Sequence, residues 1–240
     1  MHRHAPSIEL GVRRQVVHRA TEPPRPRPHR APRITGPLLS ATRRKECGDI
    51  LAQTIDPVRT EIVTPDRRRR EAARQHGTKR IVFASSNHVT GFYRQDEVIT
   101  PRAAPRPDGF YGLSKAFGED LAQLYWDRWG IETVSLRIGS SFTEPRDRRM
   151  LATYLSYDDL ERLVVAALTA PIVGHSIIYG MSDNQTTWWD NTHAKHIGYR
   201  PQDSSDVFRH AVEARQQTID QQDPAAIYQG GAFVKATPHG

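Results

Sequence analysis

The sequence predicts an α/β protein with a parallel β-sheet, confined to residues beyond about 70. Three observations predict it. Short apolar runs alternate with segments of helical period in the order strand, helix, strand, helix, strand. That order implies parallel strands, because parallel neighbours need a long crossover between them. All 19 aromatic residues lie at or after Phe83, so only this part of the chain has the bulk to fill a core.

RIVFAS, Arg80 to Ser85, is short, continuous and β-rich, as a strand covered on both faces should be. A proline-rich loop, TPRAAPRPDGF, follows. SKAFGEDLAQLYWDRW, Ser114 to Trp129, has helical periodicity and stops at Gly130, a residue suited to the left-handed position after a helix. ETVSLRIG, Glu132 to Gly139, is the next strand. Ser156 is an N-cap, with Asp158 and Asp159 in the first turn of a helix reaching about Ala170. HSIIYG, His175 to Gly180, is a further strand, and no internal repeat is visible.

Upstream the composition changes. Residues 1–70 carry 15 Arg and one Lys against seven Asp and Glu, whereas residues 71–240 carry 18 basic and 20 acidic residues. The net charge of +7 therefore arises entirely upstream. A segment such as TEPPRPRPHRAPR, without aromatics, cannot bury enough apolar area to offset its chain entropy, and residues 1–70 are expected to be disordered or poorly packed. The near-neutral remainder gives no electrostatic reason to expect nucleic acid. Cys47 is the only cysteine, which excludes an intrachain disulfide and fits a reducing, cytoplasmic compartment. LVVAALTAPIVG, from Leu163, is too short to span a bilayer and is broken by Pro171. The start of the chain lacks the apolar run of a secretory signal, and Pro26, Pro28 and Pro32 prevent the amphipathic helix of a transit peptide. Neither a membrane partner nor a metal is expected.

The chemistry centres on Tyr111 and Lys115 in YGLSK. Four residues apart at a helix start, their side chains share a face. An ammonium beside a phenol favours phenolate, which makes a tyrosine usable as a general base. The alternative is a surface Tyr and Lys on an amphipathic helix. Ser85 and Ser86 sit at the carboxyl end of the preceding strand, where ligands of open α/β sheets bind. A serine there can hydrogen-bond a substrate oxygen, although Ser-Ser-Asn is also an ordinary strand-ending turn. The next strand ends in RIGSS and opens into the same crevice.

SSN, YGLSK and RIG resemble the short-chain dehydrogenase/reductase superfamily, in its extended epimerase/dehydratase form. IVFASSNHVTGFY, RPDGFYGLSKAFGEDLA, RIGSSFTEPRDRRMLATYLSYDDL, WWDNTH, GYRPQD and IYQGGAFV together resemble the bacterial uronate dehydrogenases, over about residues 71–236. The resemblance implies a Rossmann-like parallel sheet, NAD as cofactor and a uronic acid substrate, and leaves a homo-oligomer open. It implies Tyr111 as the base that takes the anomeric hydroxyl proton. Lys115 would hold the nicotinamide ribose, and Ser86 would bond the reacting oxygen. Asn87, His88 and Ser140 would bind sugar hydroxyls, Ile138 would lie against the nicotinamide, and Arg149 would grip the hexuronate carboxylate. Against these stand plainer roles: His88 capping a loop, Arg149 on a solvated charge cluster, Trp188 and Trp189 as packing residues.

A dinucleotide fold of this kind begins with a strand, a glycine-rich turn and a helix. The sequence offers neither that turn nor the acidic residue after the second strand, since Gly11, Gly36 and Gly48 are isolated. The sheet is thus expected to be incomplete, with the first βαβ units missing and an exposed edge at Arg80. Residues 1 to about 70 read as out-of-frame translation joined to the carboxyl-terminal part of a sugar dehydrogenase. The expectation is poor NAD binding and an unstable or inactive chain. The alternatives are a nucleotide-sugar epimerase or dehydratase, and a non-enzymatic protein whose basic segment binds nucleic acid or an acidic partner.

Overall fold

The computed structural model describes residues 57–215 and 220–236, with side chains from residue 66 onward. The Arg- and Pro-rich stretch before residue 57, Cys47 and the three upstream glycines lie outside the described residues. Helix α1 spans Pro57–Gln75, β1 Arg80–Ser86, α2 Phe110–Trp129, β2 Glu132–Ile138, α4 Tyr157–Thr169 and β5 His175–Gly180. Between β2 and α4 lie two-residue strands β3 (Ser140–Ser141) and β4 (Tyr154–Leu155), on either side of α3 (Arg148–Thr153). Two short helices follow β5, α5 (Arg209–Arg215) and α6 (Pro224–Ile227).

The main sheet has the order β1-β2-β5, with both pairs parallel. Its period-two alternation sends residues to two separate cores. Val82, Val134, Leu136, Ile138 and Ile178 pack with Leu163 and Ala167 of α4 and with Ala194 and Ile197. On the other face Ile81 packs with Phe117, Leu121 and Tyr125 of α2. The predicted α/β fold, with a parallel sheet covered on both faces, is the one observed. The second strand is buried along its middle five residues, whereas the first five of β1 are only partly buried or exposed. Among the described residues β1 has no neighbour beyond β2, so its outer edge is open.

Local signals explain the boundaries. Gly130 takes φ +65° after α2, and its N–H returns to the Trp126 carbonyl. The Ser156 hydroxyl accepts from the Asp159 N–H at the start of α4. At the other end of α4, Arg80 donates to the carbonyls of Leu168 and Ala170 while its other nitrogens hold Glu132. The second helix starts four residues before the predicted Ser114, directly after the extended Gly109. The Ser114 hydroxyl bonds back to the Tyr111 carbonyl instead of capping an end.

Disorder up to residue 70 does not hold for the last part of that segment. Residues 57–70 are helical, and Arg70 is 3% exposed. Its guanidinium donates to the Thr133 hydroxyl and the Gly118 carbonyl and lies over the Phe83 ring. The aliphatic stem of arginine lets a charged residue serve as packing, which a reading by charge alone misses.

Candidate active site

The site forms where the carboxyl ends of β1 and β2 meet the start of α2. Strand β1 ends in two serines with different work. The Ser85 hydroxyl donates to Glu119 at 2.6 Å, inside the α2 face. Ser86 caps a 3-10 turn, Asn87–Thr90, and accepts from the His88 N–H. Of the two serines that sequence reasoning considered, Ser85 is committed to the interior, and Ser86 heads the turn that carries Asn87 and His88.

Tyr111 lies in the first turn of α2 and is half exposed. Its ring stands edge-on to the His88 imidazole, centroids 5.9 Å apart. The helix comes this close because residue 112 is glycine: a Cβ there would collide with the His88 carbonyl. The Lys115 ammonium lies 5.5 Å from the centroid of the Tyr111 ring, as the four-residue spacing requires, and donates to the Ala84 carbonyl at 2.9 Å. His88 Nδ1 bonds Asp108 Oδ2 at 2.6 Å. The Asp108 side chain is 1% exposed, and its other oxygen has no partner among the described residues. The Phe233 ring lies tilted against the His88 ring, centroids 3.9 Å apart.

Arg149, on α3, is partly buried, set apart from the rest of the charge cluster RDRRM by its partners. Its Nε donates to the Gln229 carbonyl at 2.6 Å. With the Asn87 amide turned so that its oxygen faces the guanidinium, that oxygen accepts from Arg149 Nη2 at 2.7 Å, and the amide nitrogen donates to the Ile138 carbonyl at 3.0 Å. Burial lowers the Arg149 pKa below the ordinary arginine value, opposed by Asp147 and Asp108. Arg149 forms no ion pair with any carboxylate among the described residues. A cavity of about 440 Å³ opens beside it, lined in part by Gln95, Asp147, Asp223 and Gly231. A larger cavity of about 490 Å³, by Arg102, His175 and His193, contains none of the candidate residues.

Asn87, Ile138 and Arg149 are thus joined directly, and Tyr111, Lys115 and His88 are neighbours. Ser140 is less available, because its hydroxyl pairs with Thr153 at 2.9 Å. Trp188 and Trp189 are core residues. The Trp189 indole donates to Gln229, whose amide also donates to the carbonyls of Arg94 and Glu97. Sequence reasoning assigned no role to Asp108, Gln229 or Phe233, although RPDGFYG and IYQGGAFV contain them. Below the site lies a charged network it also missed. Arg137 gives two hydrogen bonds to Glu119 and one to the Tyr179 hydroxyl, which bonds Thr90 in the turn after Ser86. Burial works against the Arg137 charge, but the hydrogen bonds and charge of Glu119 outweigh it and hold the arginine pKa above its ordinary value.

Ile138 is the last residue of β2, and Tyr111 and Lys115 lie in the first turns of α2 beside the end of β1. Among the described residues no strand and glycine-rich turn precede β1, so nothing there cradles a pyrophosphate.

Residues 67–171 match the NAD dependent epimerase/dehydratase family. The chain is 62% identical over 168 residues to the uronate dehydrogenase of Pseudomonas putida, covering 70% of this chain and 62% of that protein. It is 46% identical to the uronate dehydrogenase of Agrobacterium fabrum, covering 68% and 62%. Among solved structures, a mutated uronate dehydrogenase superposes with a TM-score of 0.73 at 52% identity, covering 74% of this chain and 65% of that one. A variant of the Agrobacterium tumefaciens enzyme solved with NAD superposes with a TM-score of 0.68 at 45% identity, covering 70% and 63%. The chain spans less than two thirds of the length of each of these relatives.

Proposed function

We propose that this chain, which resembles the NAD dependent epimerase/dehydratase family over residues 67–171, carries the site of a uronate dehydrogenase, oxidising C1 of D-galacturonate or D-glucuronate to an aldarolactone. One observation carries this reading: Arg149 is a partly buried guanidinium whose hydrogen-bond partners are neutral and which makes no ion pair among the described residues. A partly buried guanidinium with acidic residues nearby but no direct carboxylate partner is left short of pairing, and a ligand carboxylate supplies it with bidentate geometry.

The chain's residues divide the work. Arg149 binds the C6 carboxylate and fixes the sugar's orientation. The Ser86 hydroxyl bonds the anomeric oxygen, and the Tyr111 phenol oxygen takes its proton as the C1–H bond breaks. His88, locked by Asp108, faces the ring hydroxyls, with Ser140, its hydroxyl paired to Thr153, at their border. Lys115 would hold the nicotinamide ribose, and Ile138 would pack against the nicotinamide. NAD, when bound, supplies the hydride acceptor. The cyclic uronate loses the C1 hydride and the anomeric hydroxyl proton, so C1 becomes the carbonyl of a lactone whose ring is the sugar's own.

The test is NADH formation from D-galacturonate and D-glucuronate, by the chain as written and by a version with the upstream reading frame restored. Uronate oxidation in the restored version that Tyr111→Phe abolishes supports the reading. Turnover of nucleotide sugars in place of free uronates would overturn it. Robust NADH production by the chain as written would overturn the expectation that it lacks half its cofactor site.

A further inference from the structure

Asn87 stands in the middle of the proposed uronate site, yet both ends of its amide are already spent. Its nitrogen donates to the carbonyl of Ile138, the last residue of β2, and its oxygen accepts from Arg149 Nη2. Asn87 is 4% exposed. It therefore links the end of the central strand to the guanidinium that reads the carboxylate. From the opposite side Arg149 is held by the carboxyl-terminal segment: Gln229 takes its Nε–H, and Gly231 packs so closely that a Cβ would collide with Arg149 Cδ. Gly231 has φ +62°, a conformation that suits glycine. Of the five N–H bonds of a guanidinium, these partners take two and leave the rest for a ligand.

We infer that Asn87 is a positioning residue for Arg149 and sets the selectivity of the site for an acid over a neutral sugar. The inference rests on the uronate reading for its ligand. A hydrogen bond to a guanidinium that fixes its plane matters most to a ligand that must be met by two parallel bonds. A sugar without a carboxylate makes no use of it. If Asn87 instead contacted ring hydroxyls, acid and neutral sugars would depend on it alike.

The experiment compares the unsubstituted chain with Asn87→Ala and Asn87→Asp, using D-galacturonate and D-galactose as probes in saturation-transfer NMR. Nitrogen-edited spectra of the Arg149 guanidinium are recorded without ligand. In Asn87→Ala, galacturonate affinity should fall about tenfold or more, on the scale of a hydrogen bond to a charged group, with galactose unchanged. The Arg149 signals should broaden as the group gains freedom. Asn87→Asp should keep those signals sharp while abolishing galacturonate binding, because its own carboxylate occupies the arginine. Equal weakening of both sugars, or Arg149 signals that do not respond to Asn87→Ala, overturns the inference. Failure of the unsubstituted chain to bind galacturonate would count against the uronate reading, and the ligand-free Arg149 spectra would still decide whether Asn87 holds the arginine.

Discussion

Removing Glu119 should destabilise this fold more than its place on a solvent-facing helix suggests. The Glu119 carboxylate accepts two hydrogen bonds from Arg137 and one from Ser85, and the Glu119 and Arg137 side chains are 4% and 1% exposed. In Glu119→Ala, Arg137 keeps only the Tyr179 hydroxyl, so an arginine is left charged in the interior. Breaking a buried pair in this way costs about 3–5 kcal/mol. Replacing both partners by apolar residues, Glu119→Leu with Arg137→Met, removes the stranded charge. What remains is the loss of partners by the Ser85 and Tyr179 hydroxyls, roughly 1 kcal/mol each. The double variant should therefore lose about 2 kcal/mol, less than Glu119→Ala alone. Urea unfolding followed by tryptophan fluorescence measures this, because all four tryptophans, Trp126, Trp129, Trp188 and Trp189, lie in the folded part. With a slope near 2 kcal/mol per molar urea, Glu119→Ala should lower the midpoint by roughly 1.5–2.5 M. A loss below about 1 kcal/mol for Glu119→Ala, or a double variant weaker than either single one, would refute the reasoning.

Three other outcomes follow from the structure. Burial lowers the His175 pKa, so the unfolded chain holds that proton more tightly; the associated stability is full above about pH 6.5 and declines as pH falls below it, and His175→Gln should flatten the urea midpoint across this range. Burial alone would raise the Asp159 pKa, but hydrogen bonds from Ser182, Gln202, Arg162 and Asp203 lower it; its contribution is full above about pH 4 and lost as pH falls through the folded value, so Asp159→Asn should weaken the fold at neutral pH and shrink its acid sensitivity, and an unchanged acid limb would contradict the assignment. Sequencing the coding DNA across the first 75 codons should reveal, in another frame, a strand, a glycine-rich turn and a helix running into EAARQHG; their absence from all three frames would establish the basic segment as genuine.

The long elements of residues 80–180, β1, α2, β2, α4 and β5, were legible because each has a period and a stop: continuous apolar runs, Gly130 after α2, Ser156 before α4; the short β3, α3 and β4 had no such signal. The Tyr111 and Lys115 pair was legible because helical spacing alone puts both on one face. Arg149 was harder. In RDRRM nothing separates it from its solvated neighbours; what encloses it is Gln229, 80 residues later. Such a contact has no local signature. Arg70 and Arg137 hid in the same way, since a charged residue reads as surface until its partner across the fold is known. The resemblance carried residue roles where pattern reading stopped, but it was silent on the support beneath them: Asp108 behind His88, Glu119 behind Ser85, Gln229 behind Arg149.

The Gln229 contact also has a consequence in time. A ribosome making this chain releases β1, the turn with Asn87 and the whole of α2 long before it reaches residue 229. Until then the guanidinium of Arg149 lacks one of its two clamps, and the loop at Arg94 and Glu97 lacks the amide that ties it down. On the proposed reading, acid recognition would be completed only once residue 229 is in place. On that reading, a nascent chain stalled a dozen residues short of Gln229 would carry every proposed catalytic group and still fail to tell a uronate from its parent sugar.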